Sequence, residues 1–162
     1  MGVAEARDDE AGEAGPPDVA SLTDAQRARR MRIVEAAIEA MLTTEYSQIQ
    51  MRDVTAAAGV ALGTTYRYFA SKNHLLAEAL FAWASRFPTF GEERAGGRSV
   101  DQLQHAYRLA VRAFEPHPTV YETMMILQGV SEPRVEAIFR SFAHRQTEAF
   151  SRSIPRIATP PP

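Results

Sequence analysis

Arg27, Arg29, Arg30 and Arg32 fall within six residues, and a second set of groups, Arg52, Leu62, Gly63, Thr64, Tyr66, Tyr68 and Lys72, follows them. The first set is a basic cluster that can follow phosphates or enter a minor groove. The same run is also the composition of a solvated helix face. In the second set, the Arg52 guanidinium can clamp a phosphate or a guanine edge. Gly63 has no side chain and so permits close backbone approach, while the Thr64 hydroxyl can meet a phosphate or a base. Leu62 can offer only apolar contact, as to a thymine methyl. Lys72 falls at the start of a helical pattern, where its ammonium and the free amides of that helix end would jointly hold a phosphate. Its plainer reading is a solvated surface lysine.

Other chemistry finds little footing. The chain has no paired acid and base, no Gly-rich phosphate loop, no nucleophile elbow and no metal motif, so no enzyme, catalytic residue, cofactor or metal is expected. His105, His117 and His144 are scattered without metal-ligand spacing and read as surface or capping residues. There is no cysteine, which excludes disulfides and thiolate sites and favours a reducing compartment. The acidic start has no apolar centre and is not a signal peptide, and Ala6 breaks the myristoylation pattern. No apolar run approaches the roughly 18 residues of a membrane-spanning helix. The expectation is a soluble, cytoplasmic chain without membrane contact.

With 162 residues, 45% apolar and 23% charged, the chain has room for one compact domain or two small ones and enough apolar content for a core. Its 18 basic and 20 acidic side chains are unevenly spread. Residues 1–22 hold one Arg against six acids, whereas residues 23–87 hold eight bases against six acids and 88–162 nine against eight. For an anionic partner the local cluster therefore matters more than the total.

The elements that must position these groups are helical, and the fold class is all-α. Residues 1–22 lack periodicity and read as a disordered acidic tail. Thr23-Asp24-Ala25-Gln26 fits a capping box, after which Ile33, Val34, Ala37, Ile38, Met41 and Leu42 form one buried stripe. A second short helix spans residues 50–58 and a third 61–69, with Gly59 at the turn between them. That is the helix-turn-helix shape, although any αα-corner shares the spacing. A fourth helix runs from a Ser71 cap to Phe87, closed by Pro88. Thr89 to Arg98 has linker composition and marks a break. Beyond it lie a helix opened by the Ser99-Val100-Asp101-Gln102 box and ended by Pro116 and Pro118, then helices at about 119–128 and 131–152.

The stretch from Gln50 through Ala-Gly59-Val60-Ala61-Leu62-Gly63-Thr64-Thr65-Tyr66-Arg67-Tyr68-Phe69-Ala70-Ser71-Lys72 to Leu76 resembles the DNA-binding signature of the tetracycline-repressor (TetR) family of transcriptional regulators. The likeness covers roughly residues 26–80, about a third of the chain. Within the family, the Arg-rich opening and the Tyr-Arg-Tyr-Phe-Ala-Ser-Lys-Asn-His-Leu-Leu run are most similar to regulators of steroid catabolism. The resemblance implies that Tyr66 faces backbone phosphates, Tyr68 the groove, and that Phe69 lies in the core. The plainer reading of either tyrosine is half-buried packing with a wet hydroxyl. Arg27, Arg29, Arg30 and Arg32 would form an N-terminal arm on the duplex.

The resemblance further implies a helix-turn-helix domain at 23–72, a helical effector-binding and dimerisation domain at 73–152, and a Pro-rich tail at 153–162. Two more helices would normally follow Ile154–Pro162, so the second half reads as truncated. The expected partners are double-stranded operator DNA, a second copy of the chain and a small apolar effector of a steroid-like or acyl-CoA-like kind. Trp83, Phe87, Tyr107, Phe114, Tyr121 and Met125 are candidate effector contacts, although such an aromatic stripe is more often core. The functional expectation is a repressor released from a palindromic operator by its effector. The competing reading is a helical ligand- or partner-binding protein without DNA recognition.

Overall fold

The computed structural model describes residues 16–87, 104, 108–109 and 111–153, with side chains as far as 148. Among the described residues the secondary structure is helical throughout. Helix α1 spans Asp24–Thr43. It starts where the capping box predicts: the Gln26 amide donates to the Thr23 hydroxyl at 3.3 Å and the Thr23 amide to the Gln26 side chain at 2.8 Å. Ile33, Val34, Ala37, Ile38 and Met41 are all buried along one side. Part of the segment read as an acidic tail is structured. Asp18 caps a 3-10 turn, Val19–Ser21, and Leu22 is buried in the core, which anchors the end of the expected tail.

Helices α2 (Met51–Ala57) and α3 (Leu62–Tyr68) form the tight pair. Gly59, at φ +66°, is the one described residue with a left-handed backbone. The Gly59 amide donates to the Ala56 carbonyl at 3.1 Å and the Val60 amide to the Thr55 carbonyl at 3.0 Å, a Schellman closure that ends α2. A Cβ at Gly59 would meet nothing within 4 Å, so the cost of adding one is purely in the backbone. Gly59→Ala is expected to lower stability by about 1–2 kcal/mol in urea unfolding, without a change in cooperativity.

Helix α4 spans Lys72–Ala84 and is capped by Ser71, whose hydroxyl accepts from the His74 amide at 3.0 Å. It stops before the expected Phe87. The Ser85 hydroxyl takes the Phe81 carbonyl at 2.6 Å, and the Arg86 and Phe87 amides reach back only three residues, which unwinds the helix. Helix α5 covers Pro118–Gln128 and α6 Pro133–Ser153. Pro118 therefore opens a helix instead of closing one, its missing amide being no loss in the first turn.

One core runs through these elements. Ile33, Ile38, Met41, Phe69, Leu75, Leu76, Leu80, Val120, Leu127 and Val135 are all essentially inaccessible, and α4 packs on both α1 and α6. The Thr119 hydroxyl donates to the Met41 carbonyl at 2.7 Å and pins the start of α5 to the end of α1. The expected linker at 89–98, Tyr107 and residues 154–162 lie outside the described residues.

Candidate nucleic-acid interface

The α2–α3 pair turns Arg52, Leu62, Gly63, Tyr66 and Arg67 outward and buries Thr55 and Thr65. Arg52, in the first turn of α2, is 71% exposed and its nearest charge is the equally open Asp53 at 3.5 Å. Leu62, Gly63 and Tyr66 are exposed, Thr64 is half-buried, and a methyl group added at Gly63 would project into open space. Leu62 with Tyr66, and Gly63 with Arg67, are pairs four apart, so they share one face of α3. Arg67 is exposed on that face and belongs with the candidates. Its sequence signal is its place directly after Tyr66, in the last turn of α3.

Tyr68 does not face a groove. Its side chain is only 7% exposed, edge-on to Phe69 with ring centres 6.5 Å apart. The reason is helical geometry: Tyr66 and Tyr68 are about 200° apart around α3, and Thr65 and Tyr68, three apart, form its inward face. With Tyr66 at 47% exposure, Tyr68 has to point into the core.

The arginine cluster is likewise not an arm. It lies in the first turns of α1, because the capping box starts the helix ahead of it. Arg30 is 12% exposed, pairs with Glu78 at 2.9 Å and stacks over the Phe69 ring at 4.9 Å. Arg27 pairs with Asp24 at 2.6 Å and donates to the Leu22 carbonyl. Arg30 is therefore committed within the fold, whereas Arg27, paired with the exposed Asp24, stays 47% accessible. With Arg29 half-buried and Arg32 exposed, Arg27, Arg29 and Arg32 are the members of the cluster open to an anion.

Two polar networks stand behind this surface. In the first, burial would push the Glu78 carboxyl up, but the His74 ring 3.8 Å away and the Arg30 guanidinium at 2.9 Å outweigh it and hold Glu78 below the ordinary range. The His74 ring is fixed from its other side, where Nδ1 accepts from the Ala70 amide at 3.1 Å. In the second, the Lys72 ammonium donates to the Tyr46 carbonyl at 2.6 Å and sits 4.0 Å above the Tyr46 ring. Burial lowers the Lys72 pKa. The Tyr46 phenol donates to Asn73 at 2.5 Å, and Asn73 and Ser71 both donate to Glu132. Lys72 is therefore a tethered cation, unlike the freely solvated lysine that was its plainer reading.

In the second half, Trp83 packs edge to face on Phe87 at 4.8 Å, tilted on Phe114 at 5.2 Å and edge-on to His117 at 5.9 Å. Tyr121 and Met125 are exposed one turn apart on α5. A groove of about 310 Å³ between α1 and α2 and another of about 400 Å³ between α4 and α6 are lined by other residues. No helix among the described residues is long and apolar enough to cross a membrane, and no cluster of metal-binding side chains occurs among them.

Known proteins share this arrangement. Residues 33–79 match the domain described as bacterial regulatory proteins, tetR family. The chain is 36% identical over 110 residues to the HTH-type transcriptional repressor KstR of Rhodococcus jostii (strain RHA1), covering 68% of this chain and 51% of that protein. It is 38% identical over 104 residues to the protein of the same name from Mycolicibacterium smegmatis, covering 63% of this chain and 51% of that one. The chain thus spans about half the length of the curated relatives it matches. The crystal structure of a TetR transcriptional regulator from Rhodococcus sp. RHA1 superposes with a TM-score of 0.65 at 29% identity, covering 86% of this chain and 74% of that one. The helix-turn-helix, its sequence signature and the helical frame around it agree, and they identify residues 33–79 as a domain of the tetR family of bacterial regulatory proteins.

Proposed function

We propose that the protein is a sequence-specific DNA-binding transcriptional repressor. The observation that carries this reading is the outward face of the α2–α3 pair: Arg52, Leu62, Gly63, Thr64, Tyr66 and Arg67 on two short helices joined at Gly59, with open space over Gly63. Leu62, Gly63 and Thr64 are small or apolar and suit a crowded groove, while Arg52, Tyr66 and Arg67 supply phosphate and base contacts. Lys72, with Arg29 and Arg32, adds flanking phosphate contacts. The matched relatives named as repressors support the direction of the output.

A homodimer would set two recognition helices in successive major grooves about 34–36 Å apart on a palindromic operator. A small apolar effector bound among Trp83, Phe87, Phe114, Tyr121 and Met125 would favour a different spacing, so that DNA and effector weaken each other's binding. The regulator reading leaves no role for catalysis, and the protein would act wherever the cell's DNA lies.

Selection of duplexes from a random pool, followed by titration of the selected sequence across a salt series, tests the proposal. Several phosphate contacts require the logarithm of the affinity to fall steeply with the logarithm of salt, by roughly 0.9 for each contact. An enriched palindrome bound with such a slope is the expected result. No enrichment, with binding indifferent to salt, would instead mark a helical partner-binding protein.

A further inference from the structure

Glu132 lies outside the helix-turn-helix, in the connection between α5 and α6, yet its carboxylate grips the first turn of α4. One oxygen accepts from the Ser71 hydroxyl at 2.6 Å and the other from the Asn73 amide at 2.5 Å. Asn73 in turn accepts from the Tyr46 phenol, and Tyr46 holds the Lys72 ammonium through its carbonyl and its ring. These bonds join residues about sixty positions apart in sequence to the end of α4 that carries Lys72. We infer that Glu132 is a positioning residue for DNA binding: a carboxylate from the second half of the chain that sets Lys72, through Asn73 and Tyr46, where it meets a phosphate. The inference rests on the DNA-binding reading above.

Each bond in the chain has a definite direction. The Ser71 oxygen accepts from the His74 amide while its proton goes to Glu132, so the carboxylate fixes the rotor of the residue that caps α4. Burial, and then the Glu132 charge, hold the Tyr46 phenol above its ordinary range, which keeps the proton that Asn73 accepts. A lysine on a flexible four-carbon stem loses rotamer freedom when it binds an anion, and a tether that orders it beforehand removes that loss from the binding step. Nothing within α2–α3 supplies these contacts; they come from Tyr46 before the motif and Glu132 well after it.

The test is a fluorescence-anisotropy titration of the full chain with a labelled mixed-sequence DNA duplex across a salt series. Glu132→Ala is expected to weaken binding about three- to tenfold and to reduce the salt slope by about one, the signature of one lost phosphate contact. Lys72→Ala should do the same, and the double variant should be no worse than either single one. Removing a carboxylate beside a polyanion tightens binding by charge alone, so the expected sign is opposite to the generic one. Glu136→Ala, at an exposed acid in the first turn of α6, is the control and should leave binding unchanged or slightly tighter.

Amide exchange in the first turn of α4 should quicken in Glu132→Ala without DNA present. If that variant fails to fold, Glu132→Gln, which keeps the shape and one acceptor oxygen, is read in the same way. Unchanged or tighter binding, losses that add to those of Lys72→Ala, or unaltered exchange overturns the positioning role while wild-type binding stands. A wild-type chain that binds no duplex in a salt-dependent way overturns the DNA-binding reading, and the positioning role with it.

Discussion

Arg30→Ala is expected to lower the stability of the protein by about 2–3 kcal/mol while leaving the salt slope of duplex binding unchanged. The guanidinium is 12% exposed, bonded to Glu78 at 2.9 Å and stacked 4.9 Å over Phe69, which is itself inaccessible to solvent. Its removal takes away a charge-assisted hydrogen bond and a cation–π contact together, and leaves the Glu78 carboxylate with the His74 ring 3.8 Å away. Loss of a partner from a largely buried pair costs more than the pair contributes, because the remaining charge is left desolvated. Arg32→Ala, at an exposed position about 200° around α1 from Arg30, should cost less than about 0.5 kcal/mol.

The same network sets an acid limit. Because Glu78 is held below its ordinary value of 4.5 in the folded chain, the unfolded chain binds its proton first as pH falls. The contribution of Glu78 is therefore complete above that value and is lost as pH drops below it through the depressed folded value. Urea midpoints measured from pH 6 downward, taken as roughly the acid side of neutrality, should fall more steeply for the wild type than for Arg30→Ala. In the variant much of the depression has already gone, so equal steepness would show that Arg30 is not what holds Glu78 down.

Arg52→Ala and Tyr66→Ala are each expected to weaken binding to the selected operator by about 1–3 kcal/mol with almost no change in melting temperature. Both side chains are open to solvent, Arg52 at 71% and Tyr66 at 47%, and neither contributes to the core. Truncation at such positions normally changes stability by less than about 0.5 kcal/mol. Tyr68→Ala should show the reverse, a lower melting temperature and a loss of affinity no larger than the loss of folded protein explains, because its ring is packed on Phe69. Gel-shift and thermal unfolding on the three variants separate the roles. Normal binding by Arg52→Ala and Tyr66→Ala together would remove the proposed interface.

Local patterns were sufficient for much of this molecule. The all-α class, the Thr23–Gln26 capping box, the buried stripe of α1, the Gly59 turn and the Ser71 cap all depend on neighbours within one or two helical turns, and each stands where the spacing places it. What a side chain does once its helix is placed depends on the partner that the other helices bring to it. Arg29 and Arg30 are adjacent and chemically identical, yet only Arg30 meets Glu78 and Phe69, because α4 crosses α1 on that side. Tyr66 and Tyr68 differ in the same way, since the packing of α3 leaves one phenol in water and buries the other. The grip of Glu132 on Ser71 and Asn73 spans about sixty residues of chain and has no local signature at all. Sequence alone therefore determined the helices and the chemistry available to them, through short-range hydrogen bonding and apolar periodicity. Only the tertiary structure decided which charges stay exposed to solvent and which hold the protein together, because burial and ion pairing are set by contacts between elements distant along the chain.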